Sequence, residues 1–112
     1  MKNTEVVNTT SKYIVKTTGI GSETDEVLVD AFKLTDGNNE SKASLIECFY
    51  LIEGTGTVSI SSESEDDDLE LTGKGKYGLR PNQLKFGNDK IFKLTTDSNV
   101  RSYLLVTEFR RN

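Results

Sequence analysis

The chain has 112 residues, of which 34% are hydrophobic and 29% charged, and a formal net charge of −4; that suits one ordinary globular domain with a single core and leaves no room for a second. Histidine is absent and Cys48 is the only cysteine, which excludes imidazole- or thiolate-ligated metals, histidine-based triads and an internal disulfide; any metal would have to be a hard cation held by oxygens, so neither metal nor cofactor is expected. No apolar run approaches the ~20 residues of a bilayer span, and the polar start MKNTEVVNTTSKYIVK lacks the apolar middle of a signal peptide.

A lone thiol fits a reducing compartment, so the expected location is cytoplasmic, with no membrane partner. The charge is unevenly spread. Residues 1–61 carry five basic and nine acidic side chains, residues 62–70 none and six, and residues 71–112 nine and three. Basic residues along strands are ordinarily solvated faces; the alternative is an anion-binding surface or pocket mouth. Overall acidity and the lack of a basic cluster argue against nucleic acid.

In chain order, residues 1–12 read as a frayed or loosely paired arm and residues 13–112 as the folded domain. Residues 13–17 alternate as a short strand that ends at Gly19–Gly21. Residues 26–34 (EVLVDAFKL) read as a strand with Val27, Val29 and Ala31 on one face and Leu28, Phe32 and Leu34 on the other. TDGNNESK is turn chemistry. Residues 45–58 (LIECFYLIEGTGTV) form the most apolar strand, broken only by Glu47, with residues 57–61 expected as its hairpin partner across Gly54-Thr55-Gly56. No helix and no Lys-Ser/Thr pair follows those glycines, so they are not a phosphate loop.

SSESEDDD reads as a mobile acidic hairpin loop without the spacing of an EF-hand. Leu69 to Leu71 resumes pairing, Gly73, Gly75 and Gly78 punctuate the next stretch, and Pro81 suits a strand end at a turn. Residues 91–95 and 102–109 are further strands, the last alternating Tyr103, Leu105, Thr107 and Phe109 against Leu104, Val106 and Glu108. With eight to ten short strands, Gly-rich turns and no period of 3.6, the fold class is all-β, a sandwich or barrel with little or no helix.

Two spacings resemble the small single-domain cupins, a superfamily of jelly-roll barrels. Their first motif closes with a glutamate, six residues and a glycine, matched by Glu47 and Gly54; their second has a glycine, five residues and a proline, matched by Gly75 and Pro81. The resemblance spans residues 26–109 and implies a cupin-like double-stranded β-helix, commonly a homodimer through an N-terminal strand. The histidines of metal-binding cupins fall on Ser41 and Ala43, or Glu40 and Lys42, and on Phe86. The metal-dependent chemistry of the family therefore does not carry over. The residues around Tyr77-Gly78-Leu79 are also faintly similar to ectoine synthase, a cupin relative, over too short a stretch to imply its chemistry.

By strand parity Glu47, Phe49 and Leu51 share one face and Ile46, Cys48, Tyr50 and Ile52 the other. The cupin likeness points Glu47, and with it Phe49 and Leu51, into the barrel. Tyr77 and Leu79 then approach from the second motif, Phe86 plugs the former metal position, and Lys93, Arg101 and Tyr103 form the opposite wall. A buried carboxylate needs a partner or a raised pKa. Satisfied by a tyrosine, lysine or arginine, Glu47 is structural; facing a cavity, it anchors a polar or cationic group. Cys48, among bulky apolar neighbours and with no activator, is a core residue. The function expected is metal-independent binding of a small polar or anionic molecule in the barrel. The alternatives are a metal-independent isomerase or lyase in which Glu47 works with Tyr77 or Tyr103, and a structural or protein-interaction module with a filled barrel.

Overall fold

Alternating apolar positions and closely spaced turn residues produce strands and almost nothing else. A computed structural model describes residues 1–78 and 85–111. Among the described residues there are ten strands: β1 (Lys2–Asn8), β2 (Lys12–Gly19), β3 (Glu26–Asp30), β4 (Ala43–Gly54), β5 (Val58–Ser62), β6 (Leu69–Leu71), β7 (Lys74–Tyr77), β8 (Phe86–Asp89), β9 (Ile91–Thr96) and β10 (Val100–Arg111). They form two antiparallel sheets. The larger runs β1-β2-β10-β4-β7, with β8 also pairing β4; the smaller runs β3-β9-β5-β6. The all-β expectation holds.

The core lies between the sheets. Val15 and Thr17 of β2, Leu105, Thr107 and Phe109 of β10, and Cys48 of β4 are fully buried from one side; Leu28, Val58, Ile60, Phe92 and Leu94 meet them from the other. Phe92 and Phe109 join the layers edge to face, ring centroids 5.0 Å apart, a geometry that adds ~0.5–1.5 kcal/mol to the area buried.

Several elements differ from the expectation. The third strand stops at Asp30, whose Oδ1 accepts from the Phe32 amide at 3.1 Å and starts a single 3-10 turn over Ala31–Lys33; a capping carboxylate outcompetes the ladder there. Residues 57–61 do not pair with β4. The chain crosses instead to the other sheet, where β5 lies between β9 and β6. Asp97 holds this crossover, its carboxylate accepting from the Thr57 and Asn99 amides at 2.9 Å each. Gly54 turns the corner at φ +102°, and Gly56 comes within contact of the β9–β10 connection. Residues 2–8, read as a frayed arm, form an ordered edge strand paired with β2. The acidic segment does connect a hairpin, with Ile60 opposite Leu69.

Candidate functional site

β4 places the residues that motivated the functional reading, and a bulge sets their direction. Glu47 pairs with Glu108 and Leu45 with Phe109, leaving Ile46 extra. That insertion puts Leu45 and Cys48, three residues apart, both on the inner face with no exposure. From Cys48 onward simple alternation resumes: Cys48 and Ile52 point inward with Tyr50 packed against them, so Glu47, Phe49 and Leu51 point out. The expected orientation is therefore reversed. Phe49 is 41% and Leu51 39% exposed, so this stretch of β4 is buried on one face only.

Register shows what surrounds them. Leu51 stands opposite Leu104 on β10 and Lys74 on β7; Phe49 stands opposite Val106 and Lys76; Glu47 stands opposite Glu108. One strand further on, β2 places Thr18, Lys16 and Ile14 beside Leu104, Val106 and Glu108. The outer face of the larger sheet thus carries a block of four apolar side chains, lysines along its rim, and two carboxylates directly opposite each other at one end. Among the described residues none of Glu47, Glu108, Lys16, Lys74 and Lys76 makes a side-chain hydrogen bond or ion pair. Like charges placed directly across a sheet disfavour each other. Beyond the carboxylates lies a shallow recess of about 260 Å³ lined by Ser11, Lys12, Ile46, Glu108 and Arg110.

The other expected site residues do not converge on this face. Tyr103 is buried in the core layer and donates its hydroxyl hydrogen to Glu23 Oε2 at 2.5 Å. Glu23 also holds the amino-terminal ammonium through Oε1 at 2.7 Å. Burial first, then the Glu23 hydrogen bond and negative charge, drives the Tyr103 phenol far above its ordinary value. Phe86 is buried opposite Leu45 and packs near Phe92. Tyr77 pairs opposite Cys48 and packs partly on the core; burial, then the Glu65 charge, raises its pKa. Arg101 is exposed, and Leu79 and Pro81 lie outside the described residues.

Lys93 is exposed on the outer face of the smaller sheet, in an open cavity of about 440 Å³ that it shares with Asp25, Ser62, Glu63, Glu65 and Asp68 among others. Asp89 of β8 ties down Ser62 and Ser64 at the start of the acidic loop. Its Oδ2 accepts from the Ser62 hydroxyl, and from the Ser64 amide and hydroxyl at 3.0 and 2.7 Å. Burial pushes the Asp89 carboxyl up, but these bonds and one from the Asn88 backbone outweigh it and hold it below the usual carboxylate value. Cys48 is sealed, its Sγ 3.5 Å from Thr107 Oγ1; burial, slightly offset by that contact, pushes the thiol up to about 11. It is a core residue, with none of the activation a nucleophile needs.

Sequence reasoning missed Leu104, Val106 and the lysines as parts of one face. The signal was present in the second parity of β10, which reads Leu104, Val106, Glu108 beside the Phe49 and Leu51 parity of β4. No family model matches the chain, and neither a curated protein nor a solved structure is significantly similar to it.

Proposed function

We propose that this chain is a binding module rather than a catalyst, and that it docks a protein partner on the outer face of its larger sheet. One observation carries this reading. Phe49 and Leu51, 41% and 39% exposed, lie side by side with Leu104 and Val106 on a regular sheet surface. An aromatic and three aliphatic side chains ringed by charges have the make-up of an interface centre with a polar rim. Covering the ~80 Å² of Phe49 still in water is alone worth ~2 kcal/mol.

Against catalysis stands the separation of the candidates: Glu47 is on the outer face, while Tyr77 and Tyr103 are on the inner side of the same sheet. A small guest between the sheets would have to replace a filled core, including Phe92, Phe109, Leu45, Leu94 and Leu105 at under 2% exposure. We also read the scaffold as a cupin-like jelly roll. The order β2-β10-β4-β7 facing β3-β9-β5-β6 is what two interlocked Greek keys produce, and it agrees with the Glu47–Gly54 and Gly75–Pro81 spacings.

The test is site-specific photo-crosslinking in the cells that express the chain, with a benzophenone side chain at position 49 or 51. Ile20 and Val27, 65% and 45% exposed elsewhere, serve as controls. Positions 49 and 51 are expected to give several-fold more covalent protein product. Equal yields at all four positions refute the reading.

A further inference from the structure

We propose that the partner docked on this face is an acidic segment of another protein, apolar at its centre and carrying carboxylates on both flanks. This rests on reading the face as a docking surface and adds the chemistry of what covers it. Register lays the charges out row by row. Lys16, Val106, Phe49 and Lys76 form one row across β2, β10, β4 and β7. The next row starts on β1 and runs Lys2, Thr18, Leu104, Leu51 and Lys74. Each apolar pair is therefore bracketed by a lysine at either end. Strands ~4.8 Å apart set the two lysines of a row ~14 Å and ~19 Å from each other, with the apolar side chains between them.

Among the described residues none of Lys2, Lys16, Lys74 and Lys76 has a side-chain partner within the chain, so pairing them with another molecule breaks nothing. The carboxylates of the face lie beyond the apolar block. Glu47 and Glu108 oppose each other one row past Phe49, and Lys12 and Arg110, also directly opposed, follow one row further; two anions and two cations leave that end neutral. At the other end Glu53 stands opposite Ser102, with Arg101 exposed in the adjoining bulge. Without Arg101, six cations (Lys2, Lys12, Lys16, Lys74, Lys76 and Arg110) outnumber three carboxylates, a formal +3 on a chain of −4 that leaves −7 for the rest. An acidic partner is thus drawn to this side of the molecule and repelled from the others. A bilayer fits the face less well. Phe49 and Leu51 are less than half exposed on a sheet, too flush to reach ~5–10 Å into the acyl boundary, and Glu47, Glu53 and Glu108 would meet anionic headgroups.

The test is photo-crosslinking from a benzophenone at position 51 in the expressing cells, with the crosslinked peptides identified by mass spectrometry. It is run on the otherwise native chain and on the double variant Lys16→Glu, Lys76→Glu. The captured segments are expected to carry net negative charge. The double reversal is expected to lower the yield about tenfold, as rim pairs turn from attraction to repulsion. Lys33→Glu, at an exposed lysine on the 3-10 turn, is expected to leave the yield unchanged, and circular dichroism to show that both variants fold. Product that survives the double reversal, or that comes from a neutral or basic segment, overturns the acidic partner and leaves the docking face standing. Product from a second copy of the chain overturns it too. A chain that gives no protein product but sediments with vesicles of phosphatidylcholine and phosphatidylserine at ~2:1 overturns it in favour of a lipid surface. No excess of product at position 51 over positions 20 and 27, with no vesicle binding, refutes the docking face itself.

Discussion

Replacing Tyr103 with Phe removes one hydroxyl from a buried site and leaves the ring in place. That hydroxyl donates to the Glu23 carboxylate at 2.5 Å, and a hydrogen bond to a charged group is worth ~1.5–3 kcal/mol. For a chain of this length that loss corresponds to roughly 6–12 °C in melting temperature. The pH dependence is the sharper test. The folded Tyr103 phenol stays protonated far above its ordinary value, whereas in the unfolded chain it ionises near pH ~10. Its contribution is therefore complete below pH ~10 and is lost above it, because only the unfolded state gains by releasing the proton; at pH ~11 the wild type has lost ~1.4 kcal/mol that the Phe variant cannot lose. Tyr13, Tyr77 and Cys48 are also raised, but they are common to both proteins and cancel. Urea unfolding followed by circular dichroism should show a gap of ~1.5–3 kcal/mol at pH 8 that shrinks by ~1.4 kcal/mol at pH 11. A gap that is constant across that range, or absent at pH 8, would refute the assignment of this hydroxyl as a buried donor.

Two further outcomes follow from the core and the crossover. With its pKa at about 11, Cys48 is ~0.1% thiolate at pH 8, so a thiol reagent should label it only as fast as the protein opens and quickly in urea. Labelling of the native protein at the rate of a free thiol would contradict the burial. Alanine at Gly73, at φ +66° with nothing within 4 Å of a new Cβ, should cost ~1–2 kcal/mol from backbone strain alone. At Gly54, φ +102° with the Asn99 carbonyl in the way, it should cost more than ~3 kcal/mol. Equal shifts in urea midpoint would show that the Gly54 corner is not sterically locked.

The strands themselves were legible because alternation is a local signal. The alternating set Tyr103, Leu105, Thr107 and Phe109 of β10 is buried, and β9 matches its expected span to within a residue. Sheet membership was not legible. The string Gly54-Thr55-Gly56 looks like a hairpin turn, yet Asp97, forty residues on from Thr57, accepts the Thr57 amide and steers the chain across to the other sheet. β7, only four residues long with a central glycine, has too weak a pattern to be seen without its partner β4. Which parity of β4 is buried depends on a bulge at Ile46 opposite the Glu108–Phe109 step, and a one-residue irregularity inverts every inward and outward assignment downstream of it. The grouping of Glu47, Phe49 and Leu51 was therefore right while their direction was reversed.

That inversion also changes what Glu47 means. Inside a core, its carboxylate would need a partner to offset a desolvation cost of several kcal/mol. On the outer face the cost is smaller and of a different kind: Glu47 and Glu108 directly opposite each other disfavour each other by ~0.2–1 kcal/mol, while Lys12 and Arg110 line the same recess as Glu108. Replacing Glu108 with Gln relieves the repulsion without removing Glu47, so urea unfolding should show the chain stabilised by ~0.2–1 kcal/mol; a variant that is less stable would place the two carboxylates in a cooperative network rather than in opposition.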